Sequence, residues 1–186
     1  MSEDIKKIRQ KIDSLDDEIL ELLNQRAHQA VIIAKEKQKS KETDNFYNPE
    51  REAQVIRRIK ELNKGPLSSE SVLKLYREIM SACLSLEAPL KVSYLGPEGT
   101  YTQLATQNHF GSSILSMPYS SVEEVFASVE KRDSHYGVVP VENSTQGIVS
   151  STLDMFMKSS LKISGEIEIQ INHNILSKSK NLSDIK

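Results

Sequence analysis

Six apolar residues near the N-terminus, Ile5, Ile8, Ile12, Leu15, Ile19 and Leu22, recur at alternating spacings of three and four. That period belongs to the seam of an amphipathic helix. No Gly or Pro interrupts it, so a single helix is predicted over residues 4–38, roughly 50 Å long at about 1.5 Å per residue. A small globule cannot cover so long a helix, and the seam calls for a partner chain. The next seam position holds Arg26, a guanidinium where an aliphatic side chain belongs. On a wheel of about 100° per residue, Arg26 and Lys37 both fall within about 10° of the seam centre. Ala27, Ala30, Ile33 and Ala34 lie nearby, and their partly small side chains leave room around the two cations.

A second helix is predicted after the polar loop 40–47, with Asn48 as N-cap and Pro49 at its first position, ending at Gly65. Val55, Ile56, Ile59 and Leu62 form its inner face, and Glu52 falls in the same arc. A third helix opens near Ser68 or Ser69, carries the seam Val72, Leu75, Ile79, Cys83 and Leu86, and stops at Pro89. Buried charges cost several kcal/mol unless paired. Two inward cations against one carboxylate leave a positive surplus that an anionic ligand could neutralise. The competing reading is a structural salt bridge between Arg26 and Glu52 or another acid. Arg9 lies off the seam centre and about 25 Å along the helix from Arg26. It can reach the same small ligand only from a second, antiparallel chain.

Composition changes at Pro89: one glycine precedes it and six follow. Two domains are therefore predicted, 1–88 all-helical and 91–186 α/β. In the second, KVSYL (91–95), ILSMPY (114–119), YGVVPV (136–141) and KISGEIEIQINHNIL (162–176) read as strands, with helices between them. This alternation predicts a mostly parallel sheet. Ser121 and Glu124 form a capping box. The loops GPEGT (96–100) and ENST (142–145) follow successive strands at one sheet edge, where ligands of open α/β sheets bind.

With a net charge of −2, no electrostatic case exists for nucleic acid or an anionic membrane. No apolar run approaches the roughly 18 residues of a span. A single cysteine, Cys83, excludes an intrachain disulfide, and the polar N-terminus lacks a signal-peptide core. A cytoplasmic protein without metal or cofactor is the expectation.

The runs IRQKIDSLDDEILELLNQR, AKEK, YNPEREAQV and LYREIMSACLSLE, in that order, resemble the all-helical class of chorismate mutase. The resemblance implies an entwined homodimer through the long helix. Arg9 of one chain and Arg26 of the other would hold the two carboxylates of chorismate. Lys37 would meet a carboxylate and the ether oxygen, and Glu52 the ring hydroxyl. Arg51, Asn48, Cys83 and Glu87 would complete the pocket. Asn48 stands where aspartate is frequent in that family and Cys83 where serine is usual. Glu87 stands where some members have glutamine and others glutamate; a glutamate there donates a hydrogen bond only when protonated. Mutase activity is therefore expected to rise at mildly acidic pH.

Residues 91–176, through YLGPEGTYTQLA and YGVVPVENSTQGIVSSTLDM, are similar to the catalytic domain of prephenate dehydratase. That likeness implies a lobe of periplasmic-binding-protein type, with Glu142, Asn143 and Ser144 lining a prephenate site and Thr100 opposite. Together the two segments resemble the bifunctional chorismate mutase–prephenate dehydratase family of phenylalanine biosynthesis. That family places its essential dehydratase threonine in a Thr-Arg-Phe motif of a second lobe, and the motif is absent here. The expectation is an N-terminal portion with an active mutase and an incomplete dehydratase. The alternative is a non-catalytic helical dimerisation module fused to one lobe of a small-molecule sensor.

Overall fold

The computed structural model describes residues 3–39, 47–144, 147–172 and 177–178. Most of the polar loop predicted at 40–47 lies outside them. Helix α1, Glu3–Lys39, is one continuous 37-residue rod. Its first turn carries Glu3 and Asp4 and its last turn Lys37 and Lys39, the polarity the helix dipole favours. Helix α2, Pro49–Leu62, starts as predicted: Asn48 Oδ1 accepts the Arg51 backbone N–H at 2.9 Å. Helix α3, Ser69–Ser85, is capped by Ser68, whose hydroxyl accepts from Ser71 N–H at 3.1 Å.

Both α1 and α2 pack on α3. Contact between α1 and α3 is confined to the C-terminal half of α1, where Ala30 and Ala34 are buried. These small residues let the two helix axes approach. The predicted seam of the N-terminal half is bare: Ile5, Ile8, Ile12, Leu15, Ile19 and Leu22 are 43–63 % exposed. Leu62, Leu75 and Leu86, expected to face inward, are exposed as well.

The α/β region begins with β1 (Lys91–Leu95), then α4 (Tyr101–Phe110), β2 (Leu115–Tyr119), α5 (Val122–Glu130) and β3 (Tyr136–Val138). The sheet is parallel with order β2-β1-β3, pairing Val92 with Ser116 and Tyr136. Within ENSTQG (142–147), expected as a loop, β4 (Glu142–Asn143) pairs antiparallel with β5 (Gly147–Ile148), and α6 (Ser150–Lys158) follows. The capping box at α5 is divided. Ser121 Oγ accepts from Glu124 N–H at 3.2 Å, but the Glu124 carboxylate accepts from Ser120 rather than Ser121.

One expectation fails. The alternating segment predicted as a strand over 162–176 forms no strand in its described part, 162–172. Alternation gives a chain a face to bury, but a strand also needs a neighbouring ladder of N–H and C=O groups. Among the described residues none pairs with it.

The two regions share one core. Tyr47, Leu90, Val92 and Phe110 are buried together, with Leu84, Ile114, Tyr136 and Val138 against them. Helix α3 is fastened to the turn after α4. Ser112 donates through both its N–H and its hydroxyl to the Glu78 carboxylate, and Ser113 N–H donates to Ser81 Oγ at 3.2 Å. Gly111 sits at φ +79 with the Ser81 side chain where a Cβ would go, so both its backbone and its surroundings require glycine. On the other sheet face, the hydroxyls of Ser93, Ser128 and Ser134 form a buried chain, Ser134 to Ser93 at 3.0 Å and Ser128 to Ser134 at 2.9 Å.

Candidate active site

The seam between α1 and α3 gathers four of the predicted residues. Arg26, Ala30, Ala34 and Lys37 succeed one another along α1 at helical spacing, and Ile79, Cys83 and Glu87 do so on α3 and its C-terminal turn. The Arg26 guanidinium reaches the backbone carbonyl of Ile79 at 3.5 Å, the outer limit of a hydrogen bond. No ion pair forms at Arg26 among the described residues, so the salt-bridge reading of this arginine is not what the fold adopts. In the last turn of α1, Lys37 Nζ lies 3.5 Å from Glu87 Oε2. The lysine is a quarter exposed and the glutamate side chain is nearly covered. That glutamate oxygen is buried without a hydrogen bond among the described residues. Cys83 is buried on α3, a packing position.

Glu52 is placed elsewhere than beside Arg26. Its carboxylate accepts a hydrogen bond from the Tyr47 hydroxyl and lies near the Arg77 guanidinium. Burial raises its pKa above the usual carboxylate value, while Tyr47 and Arg77 pull it partly back down. Burial, together with the Glu52 charge, drives the Tyr47 phenol well above its ordinary value. Neither Tyr47 nor Arg77 was evident from the sequence. The available signal was an aromatic residue directly before the N-cap of α2, read as the end of a polar loop.

Three further predicted residues, besides Glu52, stay outside the seam. Arg9 is exposed on the bare half of α1, 17 residues and about 25 Å from Arg26. Arg51 is exposed and turns along its own helix to Gln54 Oε1 at 3.4 Å. Asn48 is the α2 cap already described. A shallow groove of about 230 Å³ between α3 and α4, lined by Lys74, Leu75, Arg77, Glu78, Gln107 and Asn108, contains none of the predicted site residues.

In the α/β region, β1 and β3 are parallel neighbours, so the loops that follow them emerge at the same carboxyl edge. Thr100 stands in the first as N-cap of α4: its hydroxyl accepts from Gln103 N–H and donates to Leu95 O, both at 3.4 Å. Gly99, at φ +81, gives its N–H to Gln103 Oε1 at 2.6 Å. Glu142, Asn143 and Ser144 are exposed in the second loop. The topology brings both loops to one edge, and Thr100 is engaged chiefly with its own helix.

Residues 92–186 match the family model for prephenate dehydratase, and residues 8–88 match that for chorismate mutase type II. The chain is 50 % identical over 175 residues to a Pseudomonas aeruginosa protein named bifunctional chorismate mutase/prephenate dehydratase, covering 92 % of this chain and 48 % of that one. Proteins of the same name from Stutzerimonas stutzeri (49 % over 178 residues; 94 % and 49 % covered) and Aquifex aeolicus (45 % over 188; 99 % and 51 %) are similarly close. The chain spans about half the length of the curated relatives it matches.

Proposed function

This chain belongs to the prephenate dehydratase family, with a chorismate mutase type II region ahead of it, and we propose that residues 1–88 catalyse the rearrangement of chorismate to prephenate. The observation that carries the reading is the α1–α3 seam, where Arg26 and Lys37 flank two buried alanines and Arg26 has no carboxylate partner among the described residues. The reaction is pericyclic and needs no nucleophile, metal or cofactor. It needs a dianion folded into its reactive conformer and donors aimed at the ether oxygen as that bond breaks. Long cationic side chains on rigid helices supply both. Arg26 takes one carboxylate and Lys37 the other together with the ether oxygen. Glu87 stands beside Lys37 at that same oxygen, and Glu52 accepts from the ring hydroxyl. Asn48, Arg51 and Cys83 border the pocket.

The active species is a homodimer. The bare stripe Ile5–Leu22 supports this, because six half-exposed aliphatic side chains on one helical face are a liability in a monomer. An antiparallel partner covers them and delivers its Arg9 to the Arg26 site. In the α/β region, Thr100, Glu142, Asn143 and Ser144 belong to a prephenate-binding edge, and the whole protein dehydrates and decarboxylates prephenate to phenylpyruvate for phenylalanine synthesis. The protein works in the cytoplasm. No helix among the described residues is long and apolar enough to cross a membrane.

Mixing inactive Arg9→Ala and Arg26→Ala chains tests the shared site. Each mixed dimer regains one intact site, so about a quarter of wild-type turnover is expected at equal mixing. No recovery in dimers shown to have exchanged subunits refutes the shared site.

A further inference from the structure

Tyr47 links the two regions at a single side chain. Its ring is buried and packs edge-on against Tyr136 of β3, centroids 5.3 Å apart, and at a tilt against Phe110 of α4 at 5.7 Å. Phe110 and Tyr136 meet each other at 5.4 Å, closing a three-ring cluster within the shared core. The hydroxyl at the far end of the Tyr47 ring donates to the Glu52 carboxylate of α2. The ring is thus held by the α/β layer and the hydroxyl acts on the helical region. Aromatic contacts of this kind fix a ring in place, and a phenol donating to a carboxylate is a strong hydrogen bond.

We propose that Tyr47 is a positioning residue for the mutase site: Phe110 and Tyr136 clamp its ring, and its hydroxyl sets the orientation of Glu52. The proposal rests on the mutase reading above. It makes the α/β layer a part of the mutase site rather than a separate passenger. Three groups bear on Glu52 from the elements around it: Tyr47 before α2, Arg77 on α3 and Tyr136 on β3; His109 on α4 in turn feels Arg77. Tyr47 is the one that donates a hydrogen bond to the carboxylate. Without that donor the buried carboxylate is harder to ionise and its rotamer is unsupported. The substrate hydroxyl then loses a fixed acceptor, while the cations that serve the ether oxygen are untouched.

The test uses the full 186-residue chain and chorismate kinetics across pH 5–9. Tyr47→Phe keeps the ring cluster. It is expected to raise KM roughly three- to tenfold, the net scale of one ordinary hydrogen bond, with kcat changed less than about threefold. The acid limb of kcat/KM, where Glu52 protonates, moves to higher pH. Phe110→Leu leaves both polar groups intact and loosens the clamp from the α/β side; it is expected to raise KM in the same direction by less. Circular dichroism and thermal unfolding confirm that each variant is folded, and Phe110→Leu carries the test if Tyr47→Phe folds poorly. A folded Tyr47→Phe with wild-type KM and an unmoved acid limb overturns the positioning role and leaves the mutase reading standing. A wild-type chain that does not turn over chorismate overturns both.

Discussion

Changing Glu87 to glutamine alters one terminal group next to Lys37 and is expected to raise mutase turnover at neutral and alkaline pH. Glu87 Oε2 lies 3.5 Å from Lys37 Nζ, buried and without a hydrogen bond among the described residues. At that distance the Coulomb attraction is about 5 kcal/mol for an effective dielectric of about 20. Desolvation of the carboxylate and the partial exposure of the lysine reduce the net to the order of 1 kcal/mol. Loss of the pair therefore changes stability little. The catalytic effect is larger, because a donor aimed at a developing oxyanion contributes about 2.7–4 kcal/mol, or roughly 10²–10³ in rate. An ionised Glu87 cannot donate; a glutamine amide can, at any pH. Glu87→Gln is expected to exceed wild-type kcat, followed by loss of chorismate absorbance, by at least about tenfold at pH 8, within the range one such donor supplies. A variant slower than wild type at pH 8 rules out a missing donor at position 87.

Other consequences are equally direct. Ile12→Asp in the bare stripe of α1 places a charge where a partner chain must pack, and it is expected to shift the protein from dimer to monomer in sedimentation velocity with loss of mutase turnover. Burying each such aliphatic side chain is worth about 1.5–3 kcal/mol, and a dimer loses two. Glu52→Gln is expected to weaken substrate binding without lowering the unfolding midpoint at pH 7.5. Burial raises the carboxyl above its ordinary range, so the stability it contributes is present below that range and lost as pH rises through the folded-state value. Glutamine removes that alkaline-side cost, and the difference between the two proteins should close near pH 4. His109 shows the opposite sign. Burial, then Arg77, depresses its imidazole below the ordinary value of about 6.5. Its contribution is present above that value and lost as pH falls through the folded-state one, so His109→Gln should flatten the decline of the unfolding midpoint on the acid side.

Local signals carried far in this chain. The caps Asn48, Ser68 and Ser121, the unbroken α1 and the strand 91–95 were all legible, because each depends on neighbours within a turn or on a short run of side chains. The inward phase of Arg26 and Lys37 was legible from helical spacing alone: Arg26 reaches the Ile79 carbonyl of α3, and Lys37 meets Glu87. What escaped depends on distant partners. Residues 162–172 alternate correctly, yet no second backbone pairs with them among the described residues. Tyr47 is buried only because Phe110 and Tyr136, far along the chain, fold over it. Glu52 has the phase of a residue facing α1, but α2 packs on α3, and its carboxylate turns to Tyr47 and Arg77.

Disappearance of chorismate absorbance on mixing with the purified 186-residue chain tests whether the α1–α3 seam converts a bound dianion. Continuous turnover to prephenate is expected without added metal or cofactor, abolished by Arg26→Ala or Lys37→Ala. No turnover by a folded, helical dimer with Arg26, Lys37 and Glu52 intact would leave the helical region as a dimerisation module.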